Sequence, residues 1–192
     1  MVTITQHSPI PWEIVTIDGL FDKVLIDTFI DYVKTNNTGK GRSFSNDVAF
    51  KNVKEQNPAM AGLWWEALGP CLPKAYKSGD GVRWSYEGVP DYVMYATIEA
   101  GQRFNIHTDT GCVFEPTKNL FSKYTVLTYL NDDYGGGHTR FYTENFEETV
   151  TIQPVRGRTL LFDIDRFHAG LPVETGVKHW MGTELVCRNL GN

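Results

Sequence analysis

His107-Thr108-Asp109 places an imidazole and a carboxylate two positions apart. In an extended strand, side chains i and i+2 project from the same face, so this pair converges while Thr108 points away. One neutral nitrogen and one hard oxygen anion make two thirds of a facial 2-His-1-carboxylate iron site, which leaves coordination positions open for other ligands. Alone, the pattern is weak, because a surface histidine beside a solvated aspartate produces it just as well. A second imidazole must come from elsewhere in the chain. His7 precedes the predicted fold and reads as a tail residue. His179 opens a predicted strand and reads as exposed. His138 alternates with Thr139 and Phe141, and those two read as interior, which turns His138 outward. His168 lies between two predicted strands, where a neighbouring strand can bring it beside His107 and Asp109. It is the preferred third ligand. Lys178 follows the Glu174-Thr175-Gly176 turn and could enter the same interior to pair with a dicarboxylate held at the metal. A lysine near a turn is more usually solvated, so its weight depends on the rest of the set.

These residues need strands to position them. Trp12 to Ile17 alternates apolar and polar, as a short strand does. From Asp22, a plausible N-cap, Leu25, Phe29, Tyr32 and Val33 fall at helical spacing, and the turn formers Asn36 to Gly39 end that helix. A second helix is predicted from Ala59 to Ala75, weakened by Gly62, Gly69 and Pro73. Lys77 to Asp91 reads as a long connection. Short strands then follow at Tyr92–Glu99, Arg103–Thr108, Tyr124–Leu130, Thr139–Thr143, Glu148–Gln153, Thr159–Phe162 and Trp180–Arg188, separated by Gly- and Asp-rich turns. Helices first and strands afterwards imply an α+β, mainly β, domain with an antiparallel sandwich or barrel in its C-terminal half. The 192 residues suit a single domain, with residues 1–91 as support and 92–192 as the core that carries the site.

The formal net charge of −5 sets up no general attraction for a phosphate backbone, so nucleic acid is not an expected partner. Cys71, Cys112 and Cys187 form no CxxC pair and read as buried or half-buried free thiols in a reducing compartment. With no apolar run of membrane-spanning length and no signal-peptide pattern, the expectation is a cytoplasmic protein with no membrane partner. Oligomeric state is not legible.

Several segments together resemble the prolyl 4-hydroxylase-like branch of the 2-oxoglutarate, iron(II)-dependent oxygenases. Gly101 to Asp109 (GQRFNIHTD) is similar to the family's G-q-x-f-x-x-H-x-D element, and Tyr129-Leu130-Asn131 to its Y-L-N. Gly136 to Phe141 (GGHTRF) and Pro154 to Phe162 (PVRGRTLLF) look like its G-G-x-T-x-F and P-x-x-G-x-x-L-x-F elements. His168 and Lys178 then follow in the family's order, and Ile14 to Lys34 is similar to its usual opening. The resemblance implies a double-stranded β-helix (jelly roll) with helices on one sheet. It implies Fe(II) on His107, Asp109 and His168, 2-oxoglutarate on Lys178 with Tyr129 assisting, O2 as oxidant, and Thr139 and Phe141 as pocket lining. Tyr129 reads equally well as a core aromatic. Many members carry a cosubstrate-binding tyrosine three residues before the glycine that is Gly101 here; this chain has Ile98, with Tyr95 nearby.

The implied reaction converts 2-oxoglutarate to succinate and CO2 while hydroxylating an unactivated C–H, and the carboxylate of Asp109 favours hydroxylation over halogenation. A Jumonji-type arrangement would instead use Lys118 or Lys123 for the cosubstrate. A nucleic-acid demethylase would need a basic surface, and a jelly roll that binds metal or ligand without catalysis is the alternative from another class. A peptidyl proline and a free amino acid or small molecule both stay open as substrate. Arg83, Trp84 and Tyr86 in the Lys77–Asp91 segment are candidate substrate contacts on a lid; a plug of the core by Trp84 explains them equally well.

Overall fold

The computed structural model describes residues 1–37 and 51–191. Strand β1 (Thr3–Gln6) pairs antiparallel with β2 (Ile14–Asp18). The segment before Trp12 is therefore an edge strand of the fold and not a tail. Helix α1 (Lys23–Asn36) starts at the predicted cap: the Asp22 carboxylate accepts from the Leu25 N–H at 2.8 Å. Strand β3 (Lys51–Gln56) leads into α2 (Pro58–Leu68), where Asn57 caps and Pro58 occupies a first-turn position that needs no N–H donor. Helix α2 stops well before Ala75, because Pro70 and Pro73 lack the donors that would continue it, and a 3-10 turn at Gly69–Cys71 takes over.

The remaining strands are β4 (Tyr76–Lys77), β5 (Arg83–Gly88), β6 (Tyr92–Glu99), β7 (Phe104–His107), β8 (Phe114–Glu115), β9 (Leu120–Tyr129), β10 (Gly135–Gly136), β11 (Thr139–Tyr142), β12 (Glu148–Ile152), β13 (Thr159–Asp163), β14 (His168–Gly170), β15 (Val173–Thr175) and β16 (Val177–Gly191). The large sheet runs β1-β2-β13-β9-β16-β5-β4, with β6 also on β16, β3 on β6 and β8 on β9. A four-stranded sheet, β12-β11-β14-β7, faces it, and β10 pairs with β15. All pairings are antiparallel, giving the mainly β jelly roll that the strand pattern and the resemblance imply.

Period-two alternation sorts each central strand between two environments. On β9, Tyr124 and Val126 join the core packed beneath the helices, and Thr128 accepts from Trp64 Nε1 of α2 at 3.4 Å. Thr125 and Leu127 face the other way, into the space between the sheets. The helix side is dry and aromatic: Phe29 stacks on Trp64 at 4.8 Å, and Phe21 meets both edge-on at 5.3 Å. The inner side holds smaller clusters, Ile14, Tyr129, Phe141, Ile152, Leu160 and Phe162 at one place and Ala96, Ile98 and Val173 at another. Between them a cavity remains.

The Lys77–Asp91 segment is not a long connection. Its middle is β5, laid antiparallel against the C-terminal end of β16, with Trp84 opposite Asn189 and Tyr86 opposite Cys187. Arg83-Trp84-Ser85-Tyr86 alternates polar and aromatic, which is strand periodicity hidden among glycines.

Candidate functional site

His168 sits opposite His107 in the antiparallel pairing of β14 with β7. Asp109 lies two residues beyond the end of β7, where its N–H donates to the Ile164 carbonyl at 3.1 Å. Nε2 of His107 lies 3.4 Å from Asp109 Oδ1, and Nε2 of His168 lies 3.7 Å from Oδ2. One ligand atom from each residue falls within 4.8 Å of the others. Both Nδ1 atoms face main-chain carbonyls, Asn105 at 2.7 Å and Arg166 at 3.0 Å. Each ring thus carries its proton on Nδ1 and turns a free Nε2 lone pair to the common centre, the orientation that metal-binding histidines need. Thr125 Oγ1 donates to Asp109 Oδ2 at 2.5 Å and steadies the carboxylate.

Burial resists ionisation of Asp109, but the neighbouring His107 and His168 rings and the Thr125 hydroxyl outweigh it and hold the carboxyl below its ordinary range. Burial lowers the pKa of His168, against the opposing pull of Asp109. An anionic carboxylate and a neutral imidazole are the ligating forms. Two nitrogens and one oxygen converging on one point fit a divalent first-row ion with positions left open.

The triad opens into a cavity of about 880 Å³ whose wall also includes Ile98, Leu127, Thr139, Phe162, Lys178 and Trp180. Lys178 is only 3% exposed. Its Nζ donates to the Gly137 carbonyl at 2.5 Å and lies 5.0 Å from the Tyr129 ring centre. Burial without a counter-charge lowers its pKa to about 7. Tyr129 is fully buried, and its hydroxyl shares a 2.7 Å hydrogen bond with Thr139 Oγ1. Phe141 packs behind the site, 5.1 Å from the Phe162 ring and 5.9 Å from His168, and is absent from the cavity wall. Ile98 presents an apolar surface to the cavity, and the Tyr95 hydroxyl is taken up by Glu55 Oε2 at 3.0 Å.

The other candidates lie elsewhere. His7 bonds Thr16 Oγ1 at 2.8 Å, and His138 is half-buried outside the cavity. His179 is buried rather than exposed, since it sits inside β16 with Nδ1 3.1 Å from Thr97 Oγ1. Lys118 pairs with Glu115 at 2.6 Å, and Lys123 with Asp165 at 3.1 Å. Arg83, Trp84 and Tyr86 are not brought to the cavity: Trp84 and Tyr86 pack into the core beneath the helices, with Tyr86 stacked on Tyr76 at 5.0 Å. Cys112 is exposed, Cys71 half-buried and Cys187 buried. No helix among the described residues is long and apolar enough to cross a membrane. The sequence reading missed Thr125 and Glu184, both on the cavity wall. Thr125 is in phase with Tyr129 on one strand, a signal that alternation carried.

Residues 92–184 match the model of the 2OG-Fe(II) oxygenase superfamily. No curated protein matches the chain significantly in sequence. Solved structures share its fold. A viral collagen prolyl hydroxylase from Paramecium bursaria Chlorella virus-1, in a 2OG complex, is 20% identical, with 90% of this chain and 95% of that chain covered at TM-score 0.57. A Pseudomonas putida prolyl-4-hydroxylase is 14% identical, with 93% of each chain covered at TM-score 0.60. A Trichoplax adhaerens prolyl hydroxylase, in complex with a hypoxia inducible factor oxygen degradation domain peptide fragment, is 14% identical, with 93% of this chain and 84% of that chain covered at TM-score 0.62. The match over residues 92–184 and the His-Asp-His cluster agree on a dioxygenase that uses Fe(II), 2-oxoglutarate and O2, and the prolyl hydroxylases among the solved structures share its fold.

Proposed function

We propose that this enzyme hydroxylates an unactivated C–H of an amino acid, free or within a peptide, with Fe(II) on His107 Nε2, Asp109 and His168 Nε2 and the distal carboxylate of 2-oxoglutarate on Lys178. The observation that carries the cosubstrate assignment is the Lys178 amine, buried at the cavity wall with one carbonyl acceptor and no carboxylate. A dicarboxylate would supply the missing charge in a charge-assisted pair. The Thr139 hydroxyl lies on the same wall and Tyr129 orients it through the shared hydrogen bond, which leaves Tyr129 a positioning residue.

Bound Fe(II) and 2-oxoglutarate supply an O2-driven oxidation in which 2-oxoglutarate leaves as succinate and CO2. The chain's own contribution is geometric and electrostatic. The Asn105 and Arg166 carbonyls hold both imidazoles in the ligating tautomer, and Thr125 fixes Asp109. Ile98, Leu127, Phe162 and Trp180 present apolar surface that keeps water from the reacting centre and orients the C–H. Succinate formation measured with and without added Fe(II) tests this reading. It should require the metal, fall to background in His107→Ala and persist in a control such as Lys118→Ala. Metal-independent succinate formation, or full activity in His107→Ala, would defeat the assignment.

A further inference from the structure

One carboxylate on the cavity wall has no role in holding iron or 2-oxoglutarate. Glu184 is 2% exposed and faces inward from β16, six residues beyond Lys178 on the same face of the strand. At a rise of roughly 3.3 Å per residue the two Cα atoms stand about 20 Å apart, so the wall bears a cation at one end and an anion at the other. Glu184 is paired across the sheet with Thr125, the residue whose hydroxyl holds Asp109. A group bound at Glu184 is therefore one side chain removed from the metal centre.

A buried carboxylate needs compensation. Glu184 Oε2 accepts from the Cys112 N–H at 2.9 Å, a single main-chain donor that carries no charge. Tyr92, its neighbour across the sheet, brings a buried hydroxyl against the Glu184 carboxylate, a neutral contact that leaves the charge unmatched. Lys54 does not neutralise it: its Nζ contacts Cys112 Sγ and lies 3.9 Å from the Tyr92 ring centre, its side chain is solvated at the rim, and no ion pair joins it to Glu184 among the described residues. Glu55, the other carboxylate on the wall, is engaged by the hydroxyls of Tyr32 and Tyr95. Outside the metal triad, Glu184 is the wall carboxylate whose charge meets only a main-chain N–H and neutral groups, with no cationic partner among the described residues.

We infer that Glu184 is the substrate-selecting residue and that the substrate carries a protonated amine, as a free amino acid or a small amine does, bound with its ammonium on Glu184 and its C–H toward the metal. This rests on the oxygenase site proposed above. An internal peptidyl proline has only a neutral tertiary amide at that position and would leave the carboxylate unpaired, which disfavours it.

The test measures Fe(II)-dependent succinate formation by the full chain against the common free amino acids, putrescine and spermidine, their N-acetylated forms, and a Pro-rich peptide blocked at both ends. At least one free amine should raise the rate about tenfold or more over the uncoupled rate, while its acetylated form and the blocked peptide do not. For that amine, Glu184→Gln, which keeps an oxygen for the Cys112 N–H, should raise KM by roughly 10- to 100-fold, the scale of a lost charge-assisted contact, and shrink the preference for free over acetylated substrate. Stimulation by the blocked peptide or by acetylated amines equal to that by free amines would overturn the inference, on wild-type protein alone. So would the absence of stimulation by every amine while uncoupled, iron-dependent succinate formation persists. Loss of the uncoupled reaction as well would instead refute the underlying oxygenase site.

Discussion

The Lys178 amine gives the site two opposed pH dependences. Burial lowers its folded-state pKa to about 7, whereas the unfolded chain holds the proton to pH ~10.4. Between those values the unfolded state binds more protons, so the cosubstrate-free protein should gain stability as pH rises from 7 to 10, by at most about 1.4 kcal/mol per unit. Affinity for 2-oxoglutarate should move the other way. A dicarboxylate selects the protonated amine, so binding should weaken as pH rises above 7 and take up a proton at pH 8. Calorimetry in buffers of different ionisation enthalpy measures that uptake, and no uptake would mean that Lys178 does not hold the carboxylate. Lys178→Met should abolish both trends and raise the KM for 2-oxoglutarate by roughly 10- to 100-fold, the loss of a charge-assisted pair. At the metal, His107→Ala, Asp109→Ala and His168→Ala should each reduce Fe(II) binding and turnover to background in equilibrium dialysis and succinate assays, with circular dichroism unchanged.

Among the elements, β16 carries the greatest share of the design. It pairs with β9, β6 and β5 and presents Lys178, Trp180 and Glu184 to the cavity. Its Gly182 stands where a Cβ would meet the Val126 carbonyl oxygen of β9 at 1.9 Å. Backbone cannot yield there as a flexible side chain would, so Gly182→Ala should destabilise the sheet by about 2 kcal/mol or more in urea denaturation. Wild-type stability in that variant would show that the two strands separate easily. Strand β5 is structural by the same criterion. Trp84→Ala removes a buried ring that packs edge-on against Phe121 at 5.9 Å and donates to Ser78 Oγ at 3.0 Å, and should cost roughly 3–5 kcal/mol. Its substrate KM should stay near wild type where the protein remains folded; a selective KM change would return this segment to the site.

For the whole molecule, legibility followed the range of the interactions. The α1 cap, the alternation in β9 and β13 and the convergence of His107 with Asp109 are local, and the residues state them. His168 joins the pair through a β14–β7 register that local pattern alone does not specify, and the order of the motifs supplied it. Where reading failed, distant partners decided. Glycines around β5 masked a strand that depends on β16, and β1 reads as a tail until β2 is beside it. The burial of His179 and the inward aim of Glu184 depend on which face of a fifteen-residue strand meets the helices and which the cavity.

The most direct measurement is a crystal structure of the full chain with Mn(II), as a redox-inert stand-in for Fe(II), and 2-oxoglutarate in the absence of O2. One ion should lie about 2.0–2.2 Å from His107 Nε2, His168 Nε2 and an Asp109 oxygen, by analogy with other first-row metal sites. The distal carboxylate of 2-oxoglutarate should lie within roughly 3 Å of Lys178 Nζ. An ion held by other residues, or a 2-oxoglutarate carboxylate seated on a different cation with the Lys178 amine still on the Gly137 carbonyl, would contradict the account.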